Sequence, residues 1–345
     1  KDDKNNYCII QAEDELAAIG MVLGATWNGA RAFTPTSGPG ISLMSEFIGF
    51  AYYSELPAVI FNIQRTGPST GMPTRTQQCD LLTCAYASHG DTRHPMLFPA
   101  NPEECFHMTV NAFDLGDELQ TPIFVMSDLD IGMNDWMSSD FEWDNKYEPK
   151  KGKVLSAEQL EKLENFYRYF DSDGDGIPYR SLPGVHPKGS FFTRGSGHNK
   201  YGGYTEEGHE YQEVVDRLKV KWNTARKMVP KPDIKYSKTN KIGVIAFGSS
   251  DGATNEAIIK LRKSGLKVNY CRIKSFPFNE SIKKFINKHE KIYVIEQNRD
   301  AQMRSLLILD LEVNPSKLFS ILHYDGNPIY ANLIVRELLD NESIA

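Results

Sequence analysis

The chain has 345 residues, of which 40% are apolar and 24% are charged, and its formal net charge is −6 at pH 7. This length and composition predict a globular protein with room for two domains. Lysine and arginine are scattered along the sequence, which therefore offers no basic surface for a nucleic acid. No apolar run approaches the ~20 residues of a membrane-spanning helix. We expect neither a nucleic-acid partner nor a membrane span, and we expect a cytoplasmic location.

The five cysteines are odd in number and widely spaced, which favours reduced thiols over a disulfide framework. Cys79 and Cys84 have the C-x4-C spacing that begins a plant-type iron–sulfur motif. The third ligand of that motif would stand at position 87, which is Ala87. We therefore expect no iron–sulfur cluster and no other metal held by this chain.

The first part of the chain alternates between short apolar runs and helical patterns. This alternation is typical of β–α units around a parallel sheet, and we assign it to a first domain over residues 1–135. The predicted strands are residues 7–11, 31–36, 57–63, 95–100 and 122–128, and a helix is predicted over residues 102–119.

Residues 136–237 break the rhythm because they are rich in Gly, Pro, Asp and Tyr, and we expect an irregular linker with helices only around 156–170 and 207–229. The rhythm returns in residues 238–345. Predicted strands there are residues 241–248, 267–273, 291–297 and 318–324. The predicted fold class is α/β, with two doubly wound parallel-sheet domains joined by the linker.

Three consecutive acids, Glu13, Asp14 and Glu15, follow the first predicted strand and open a helical pattern. If the apolar stripe of that helix is centred near Leu16, Glu13 lies about 60° from its centre and points more nearly inward than the other two acids. Ligands of parallel sheets bind at the carboxyl ends of strands, where Glu13 is predicted to lie. Alternatively, all three acids merely favour the positive end of the helix dipole.

Two further candidates lie at predicted strand ends. Arg65 follows the strand over residues 57–63, and its planar guanidinium is suited to a carboxylate; a surface arginine on a loop is the alternative. The loop "TPTSGPG" over residues 34–40 has N–H groups that would face a ligand, although turn geometry also explains its Gly and Pro.

The stretch "DSDGDGIPY" from Asp171 imitates two cation motifs. As a calcium loop it has acids at positions 1, 3 and 5 but Leu182 at position 12, so a solvated acidic turn is favoured and calcium stays an alternative. As the GDG…N motif of thiamine enzymes it lacks the preceding buried strand.

Three long segments carry a family resemblance: "QAEDELAAIGMVLGATWNGARAFTPTSGPGISLMSE", "QRTGPSTGMPTRTQQCDLL" and "SHGDTRHP". They resemble the α subunit of the 2-oxoacid:ferredoxin oxidoreductases, and "DGIPYRSLPGVHPKGSFFTRGSGHNKYGGYTEE" looks most like the 2-oxoglutarate branch, which forms succinyl-CoA. The resemblance implies a pyrimidine-binding domain for thiamine diphosphate, followed by a domain similar to the C-terminal domain of transketolase.

The resemblance also implies roles for named residues. Glu13 would hold the pyrimidine ring of thiamine, Arg65 would bind the substrate carboxylate, and the loop at Thr36, Ser37 and Gly38 would contact the cofactor. A β subunit would hold the diphosphate, Mg²⁺ and a [4Fe–4S] cluster in an (αβ)2 heteromer. The other partners would be ferredoxin, the 2-oxoacid and coenzyme A.

Two alternatives stay open at this point. One is the same machinery acting on pyruvate or a branched-chain 2-oxoacid, and the other is a catalytically incomplete scaffold. The family also has a "YPITPS"-like motif upstream of the "QAEDE" segment, so we expect residues before Lys1 in the source protein.

Overall fold

The computed structural model describes residues 7–343, which form β-strands and helices in alternation. In chain order the strands are β1 (Phe33–Thr36), β2 (Ala58–Thr66), β3 (Met72–Thr76), β4 (Met96–Leu97), β5 (Pro122–Asp128), β6 (Asp233–Lys235), β7 (Ile242–Phe247), β8 (Asn269–Ile273), β9 (Ser275–Phe276), β10 (Lys291–Glu296) and β11 (Leu318–Leu322). All seven residues of β5 are buried, as expected for a strand covered on both faces.

These strands form two sheets. The order in the first is β1-β2-β5-β4-β9, with β3 paired to β2, and the order in the second is β11-β10-β7-β8-β6. Most neighbours are parallel, whereas β3, β9 and β6 run antiparallel to theirs. The predicted α/β class with two parallel sheets is therefore confirmed, with antiparallel strands added at the margins.

The α-helices are α1 (Glu15–Trp27), α2 (Gly38–Leu43), α3 (Ser45–Ser54), α4 (Leu81–Ala85), α5 (Pro102–Leu119), α6 (Leu129–Met133), α7 (Ala157–Lys162), α8 (Gly208–Met228), α9 (Ser250–Lys263), α10 (Glu280–Lys288), α11 (Gln302–Leu311) and α12 (Ala331–Ser343). Short 3₁₀ turns span Pro187–Gly189 and Pro315–Lys317. Within the described range, no helix combines the length and the apolar character that a membrane crossing requires.

Local chemistry explains where α5 begins. Asn101 precedes the helix in an extended conformation, and its Oδ1 accepts a hydrogen bond from Glu104 N at 2.9 Å. Pro102 occupies the first turn, where its missing N–H costs no helical hydrogen bond. This N-cap is worth about 1 kcal/mol, and the predicted bounds 102–119 are confirmed.

Helix α8 of the middle segment packs on an apolar core that both sheets share. The buried residues of α8 recur every three or four positions and form one face: Val214, Leu218, Lys221, Trp222 and Ala225. The Trp222 ring lies against Phe276 of β9 with centroids 5.1 Å apart. Phe98, just after β4, meets Phe247 of β7 at 5.5 Å. One apolar core therefore contains residues of both sheets.

The strand predicted over residues 7–11 is wrong. This segment has no regular structure, and Tyr7, Ile9 and Ile10 are 81%, 90% and 63% exposed. A strand needs a neighbour for its backbone hydrogen bonds, and no described strand pairs with this segment. The helix predicted around 156–170 is also shorter, because α7 ends at Lys162.

The domain boundaries at residues 135 and 237 remain predictions. Strand β6 lies within the expected linker and pairs with β8 of the second sheet. Strand β9 lies within the expected second domain and pairs with β4 of the first sheet. The hydrogen bonds of the two sheets therefore cross both boundaries.

Candidate functional site

The carboxyl ends of strands from both sheets border one cleft of about 570 Å³. Strand β2 contributes Arg65 near its end, and the residues that follow β10 contribute Asn298 and Arg299. Parallel sheets bind ligands at this edge because helix N-termini and loops converge there. The rest of the lining includes Gly38, Ser42, Gln77, Cys79, Asp80, Gln302 and Tyr324.

Arg65 is half-buried and lines this cleft. Its backbone oxygen accepts a weak hydrogen bond from the Cys79 thiol at 3.4 Å. Its Nε is buried and has no hydrogen-bond partner within residues 7–343. Since a guanidinium can offer paired N–H donors to a carboxylate, this unsatisfied donor is suited to an anionic ligand.

The Thr36–Gly40 loop runs from the last residue of β1 into the first turn of α2, and polar side chains lie close to its backbone. Thr36, Ser37 and Gly38 are half-buried, and Gly38 lines the cleft. A Cβ at Gly38 would lie 2.9 Å from Asp80 Oδ1. A Cβ at Gly40 would overlap Thr36 Oγ1. The two glycines therefore allow these oxygen atoms to approach the loop.

Glu15, and not Glu13, is the acid that reaches this loop. A Cβ at Gly40 would lie 2.8 Å from Glu15 Cγ and 3.0 Å from Glu15 Oε1. Glu15 is the first residue of α1 and is half-buried, whereas Glu13 precedes the helix and is exposed. Asp14 is the N-cap, and its Oδ1 accepts a hydrogen bond from Ala17 N at 2.8 Å. The expected partial burial of Glu13 at a strand end is therefore wrong.

The cause of this error is the assumed centre of the apolar stripe. The buried residues of α1 are Ile19, Val22, Leu23 and Thr26, and Leu16 is 39% exposed. The stripe is thus centred near Ile19. Glu15 lies one helical turn before Ile19 and shares its face.

Burial and charge act together on the groups around Asp80. Burial raises the pKa of the Asp80 carboxyl, while hydrogen bonds from Asn62 and Cys79 and the charge of Arg65 act in the opposite direction. Burial also raises the pKa of Cys79 to about 12 and that of Cys84 well above its usual value. Burial therefore keeps both thiols protonated at neutral pH, which disfavours them as nucleophiles.

The loop that begins at Asp171 holds a lysine ammonium where a calcium loop would hold its ion. Lys153 Nζ donates to Asp173 at 2.6 Å, to Asp175 at 2.8 Å and to the backbone oxygen of Ile177 at 2.8 Å. These are positions 3, 5 and 7 of the imitated motif. In the described chain, one group of three or more His, Cys, Asp or Glu residues has its possible metal-ligand atoms close together. It consists of Asp171, Asp173 and Asp175.

Sequence reasoning missed Glu15, Asp80 and the residues that follow β10. Asp80 stands inside the recognisable segment "QRTGPSTGMPTRTQQCDLL", so a signal was present. Asn298 and Arg299 follow a correctly predicted strand, and the rule that ligands bind at carboxyl ends applies to them as well. The two sheets share one cleft because they pack against each other. The sequence pattern does not show this packing.

Two parallel sheets whose strand ends border one cleft define an α/β protein with a cleft where parallel sheets bind their ligands. A family model described as "Pyruvate flavodoxin/ferredoxin oxidoreductase, thiamine diP-bdg" matches residues 1–160. A 2-oxoglutarate synthase subunit KorA of Methanothermobacter thermautotrophicus is 33% identical over 84% of this chain and 75% of its own length. The α subunit of 2-oxoacid:ferredoxin oxidoreductase 2 of Aeropyrum pernix is 32% identical over 95% of this chain and 51% of its own length.

Solved structures agree with these relatives. A 2-oxoglutarate:ferredoxin oxidoreductase from Magnetococcus marinus, with 2-oxoglutarate, coenzyme A and succinyl-CoA bound, is 27% identical, has a TM-score of 0.86 and covers 97% of this chain. This chain covers 57% of that one. A split-gene transketolase that is 11% identical has a TM-score of 0.51 over 94% of this chain and 80% of its own, which shows a shared fold only.

The chain belongs to the α subunits of the 2-oxoacid:ferredoxin oxidoreductases. It spans about half the length of the Aeropyrum relative and three quarters of the Methanothermobacter relative.

Proposed function

We propose that this chain is part of the α subunit of a thiamine-diphosphate-dependent 2-oxoglutarate:ferredoxin oxidoreductase. The assembled enzyme would convert 2-oxoglutarate and coenzyme A to succinyl-CoA and CO₂ and pass two electrons to ferredoxin in the cytoplasm. The observation that carries the proposal is the half-buried Arg65, with a free donor, in a cleft at the carboxyl ends of both sheets. An anionic substrate is the ligand that such an arginine fits.

The choice of 2-oxoglutarate is supported by the names of the relatives. The Methanothermobacter protein is called a 2-oxoglutarate synthase subunit, and the Magnetococcus structure contains 2-oxoglutarate and succinyl-CoA. A dicarboxylate requires more positive charge than pyruvate does. Arg299, which follows β10, lines the same cleft but is paired with Asp300, so the choice of 2-oxoglutarate rests on the relatives.

The residues around the Thr36–Gly40 loop fit the pyrimidine part of thiamine. Bound thiamine would supply a nucleophilic carbon and an electron sink for the decarboxylation. A carboxyl within hydrogen-bond reach of a ring nitrogen is suited to this cofactor, and half-buried Glu15 lies beside Thr36 and Gly40. The role predicted for Glu13 stays a prediction, to be tested in parallel with Glu15.

The remaining parts of the active site are proposed to lie in a β subunit. In the described chain, the Gly174-Asp175-Gly176 sequence follows no strand, and Asp175 is paired with Lys153. This favours a partner that holds the diphosphate, Mg²⁺ and the [4Fe–4S] cluster. An (αβ)2 heteromer is the proposed assembly.

The test is an assay of the purified α–β complex with thiamine diphosphate, coenzyme A and oxidised ferredoxin. We expect ferredoxin reduction with 2-oxoglutarate and a much lower kcat/KM with pyruvate and with branched-chain 2-oxoacids. A preference for pyruvate would overturn the substrate assignment alone. Absence of turnover with every 2-oxoacid, in a complex that binds thiamine diphosphate, would favour the scaffold alternative.

A further inference from the structure

Asp80 is a carboxyl in the cleft that does not serve the helix it precedes. It occupies the N-cap position of α4, where an Asp side chain ordinarily accepts a hydrogen bond from the helix backbone. Here the side chain makes no such bond. Instead Leu82 N donates to Gln302 Oε1 at 3.1 Å, and Gln302 Nε2 donates to Cys79 O at 2.6 Å. Gln302 of α11 thus accepts a hydrogen bond from the first turn of α4, and the Asp80 carboxyl does not cap this helix.

The carboxyl turns toward the residues of the candidate site. Asp80 Oδ2 accepts a hydrogen bond from Asn62 Nδ2 at 3.1 Å, and Oδ1 accepts a weak one from the Cys79 thiol at 3.7 Å. Oδ1 also lies against Gly38, where a Cβ would come within 2.9 Å of it. A half-buried carboxylate with one amide donor and one weak thiol donor is incompletely solvated, which disfavours its charged form.

The charged and titratable groups that act on Asp80 or line the same cleft come from three parts of the structure. They are Arg65 on β2, Cys79 and Cys84 at α4, and Arg299, Asp300 and Tyr324 from the second sheet. The two thiols stay protonated because burial raises their pKa values. Arg299 and Asp300 pair with each other, with Nε to Oδ1 at 2.8 Å. Arg65 is therefore the cation that supports the ionised form of Asp80.

A ligand carboxylate at Arg65 removes this support. It neutralises the guanidinium and places a second negative charge in the same cleft, and like charges in a shared site raise a carboxyl pKa. We propose that binding of an anionic 2-oxoacid at Arg65 is coupled to protonation of Asp80. The proton comes from solvent on binding and returns to solvent when the carboxylate leaves. Asp80 is thus a positioning residue that relieves the repulsion of the incoming anion.

This inference rests on the proposed function, because it requires the ligand carboxylate to bind at Arg65. It is tested by calorimetric titration of the α–β holoenzyme with N-oxalylglycine, the unreactive amide analogue of 2-oxoglutarate. Titrations in MES and in Bis-Tris, cationic or zwitterionic buffers whose ionisation heats differ, give the number of protons taken up across the pH range that both buffers cover. We expect proton uptake in the wild type and none in Asp80→Asn.

The sign of the affinity change separates this role from a merely structural one. Asp80→Asn removes the repelling charge, so it should bind the analogue more tightly at pH 7.5, by about tenfold for each pKa unit of coupling. A residue that only shapes the cleft would bind it more weakly. Asn62→Leu is a second variant: it removes a hydrogen bond from the carboxylate and should move proton uptake to higher pH.

Asp300 supplies the matched control in the double variant Arg299→Gln/Asp300→Asn, which removes a carboxylate from the same cleft without freeing the arginine that pairs with it. In the wild type, Arg299 keeps the pKa of Asp300 below its usual value, so the double variant should retain the wild-type proton uptake. Equal proton uptake in wild type and Asp80→Asn would overturn the inference and leave the proposed function intact. Absence of any binding of the analogue by the wild type would overturn both.

Discussion

At the scale of the residue, the two glutamates at the start of α1 have different environments. Glu15 is half-buried beside the Thr36–Gly40 loop, and Glu13 is exposed. Contact with the loop gives the Glu15 carboxyl a more defined position than that of the exposed Glu13. We therefore propose Glu15, beside Glu13, as a candidate for the carboxyl that hydrogen-bonds the pyrimidine ring.

We expect Glu15→Gln to lower kcat by roughly 10²–10⁴-fold, which is the range for loss of acid–base help, while thiamine diphosphate still binds. The measurement is turnover of 2-oxoglutarate together with hydrogen–deuterium exchange of the thiazolium proton in the α–β complex. Asp14→Asn is the control and should stay close to the wild type, since Asn also caps a helix, and Glu13→Gln is measured in parallel. Slow exchange in Glu13→Gln with normal exchange in Glu15→Gln would instead assign the role to Glu13.

Arg65 gives the second prediction at this scale. Arg65→Ala removes charge-assisted hydrogen bonds to a carboxylate, worth on the order of 1.5–3 kcal/mol, so KM for 2-oxoglutarate should rise by roughly 10–150-fold. Arg75→Ala is a suitable control, because Arg75 is an exposed arginine on the neighbouring β3 that does not line the cleft. An unchanged KM in Arg65→Ala would exclude Arg65 from substrate binding.

At the scale of the element, the loop from Asp171 carries its own cation. Lys153 is joined to Asp173, Asp175 and the Ile177 carbonyl, and it therefore ties the segment before α7 to the segment before α8. The carboxylates are partly exposed, so solvent weakens each ion pair. Removal of the ammonium also breaks its hydrogen bond to the Ile177 carbonyl and leaves a space within the loop.

We expect Lys153→Met to lower the free energy of unfolding by about 1–2 kcal/mol, because it leaves several acceptors without a donor. Lys151→Met, an exposed lysine nearby, should change it by less than about 0.5 kcal/mol. Millimolar Ca²⁺ should leave the Tm of the wild type unchanged, since the ammonium fills the position of the ion. A rise in the wild-type Tm with Ca²⁺ would contradict this reading.

The elements differ in how far the sequence predicts them. Strand β5 and helix α5 have the predicted bounds because each carries its own signals: a continuous apolar run, and an Asn cap with Pro102 in the first turn. The orientation of α1 was mispredicted, because which side of a helix is buried depends on its neighbours. The pairings of β6 and β9 connect distant segments of two or three residues, and such short segments have no periodicity to read.

At the scale of the whole molecule, a buried polar network joins the two sheets. Asp128, at the end of β5, accepts hydrogen bonds from Ser249 at 2.6 Å and from Gln78 at 3.2 Å. Gln297, after β10, donates to Ser249 at 3.1 Å. Burial raises the pKa of Asp128 to about 6, against the opposing effect of these hydrogen bonds. The contact between the sheets therefore includes a carboxyl that titrates below neutral pH.

The sign of the pH dependence follows from this shift. The folded protein binds the Asp128 proton more tightly than the unfolded chain does, so its contribution to stability is fully present below about pH 4 and is lost as the pH rises to about 6. Two pKa units correspond to about 3 kcal/mol. We expect Asp128→Asn, which keeps an N-cap for α6, to flatten the unfolding free energy over this pH range. Equal pH dependence in variant and wild type, measured by denaturant unfolding, would exclude Asp128 as the titrating group.

The pairing of β9 with β4 also has a consequence for synthesis on the ribosome. The last parallel strand of the first sheet, β5, ends at Asp128. Strand β9 (Ser275–Phe276), which pairs with the outer edge of β4, emerges roughly 150 residues later. At the usual translation rate this delay lasts roughly 7–30 s. During that time the nascent chain exposes an unpaired strand edge, the kind of surface from which aggregation begins. Because β4 is only two residues long, the edge offers a neighbouring nascent chain very few hydrogen bonds.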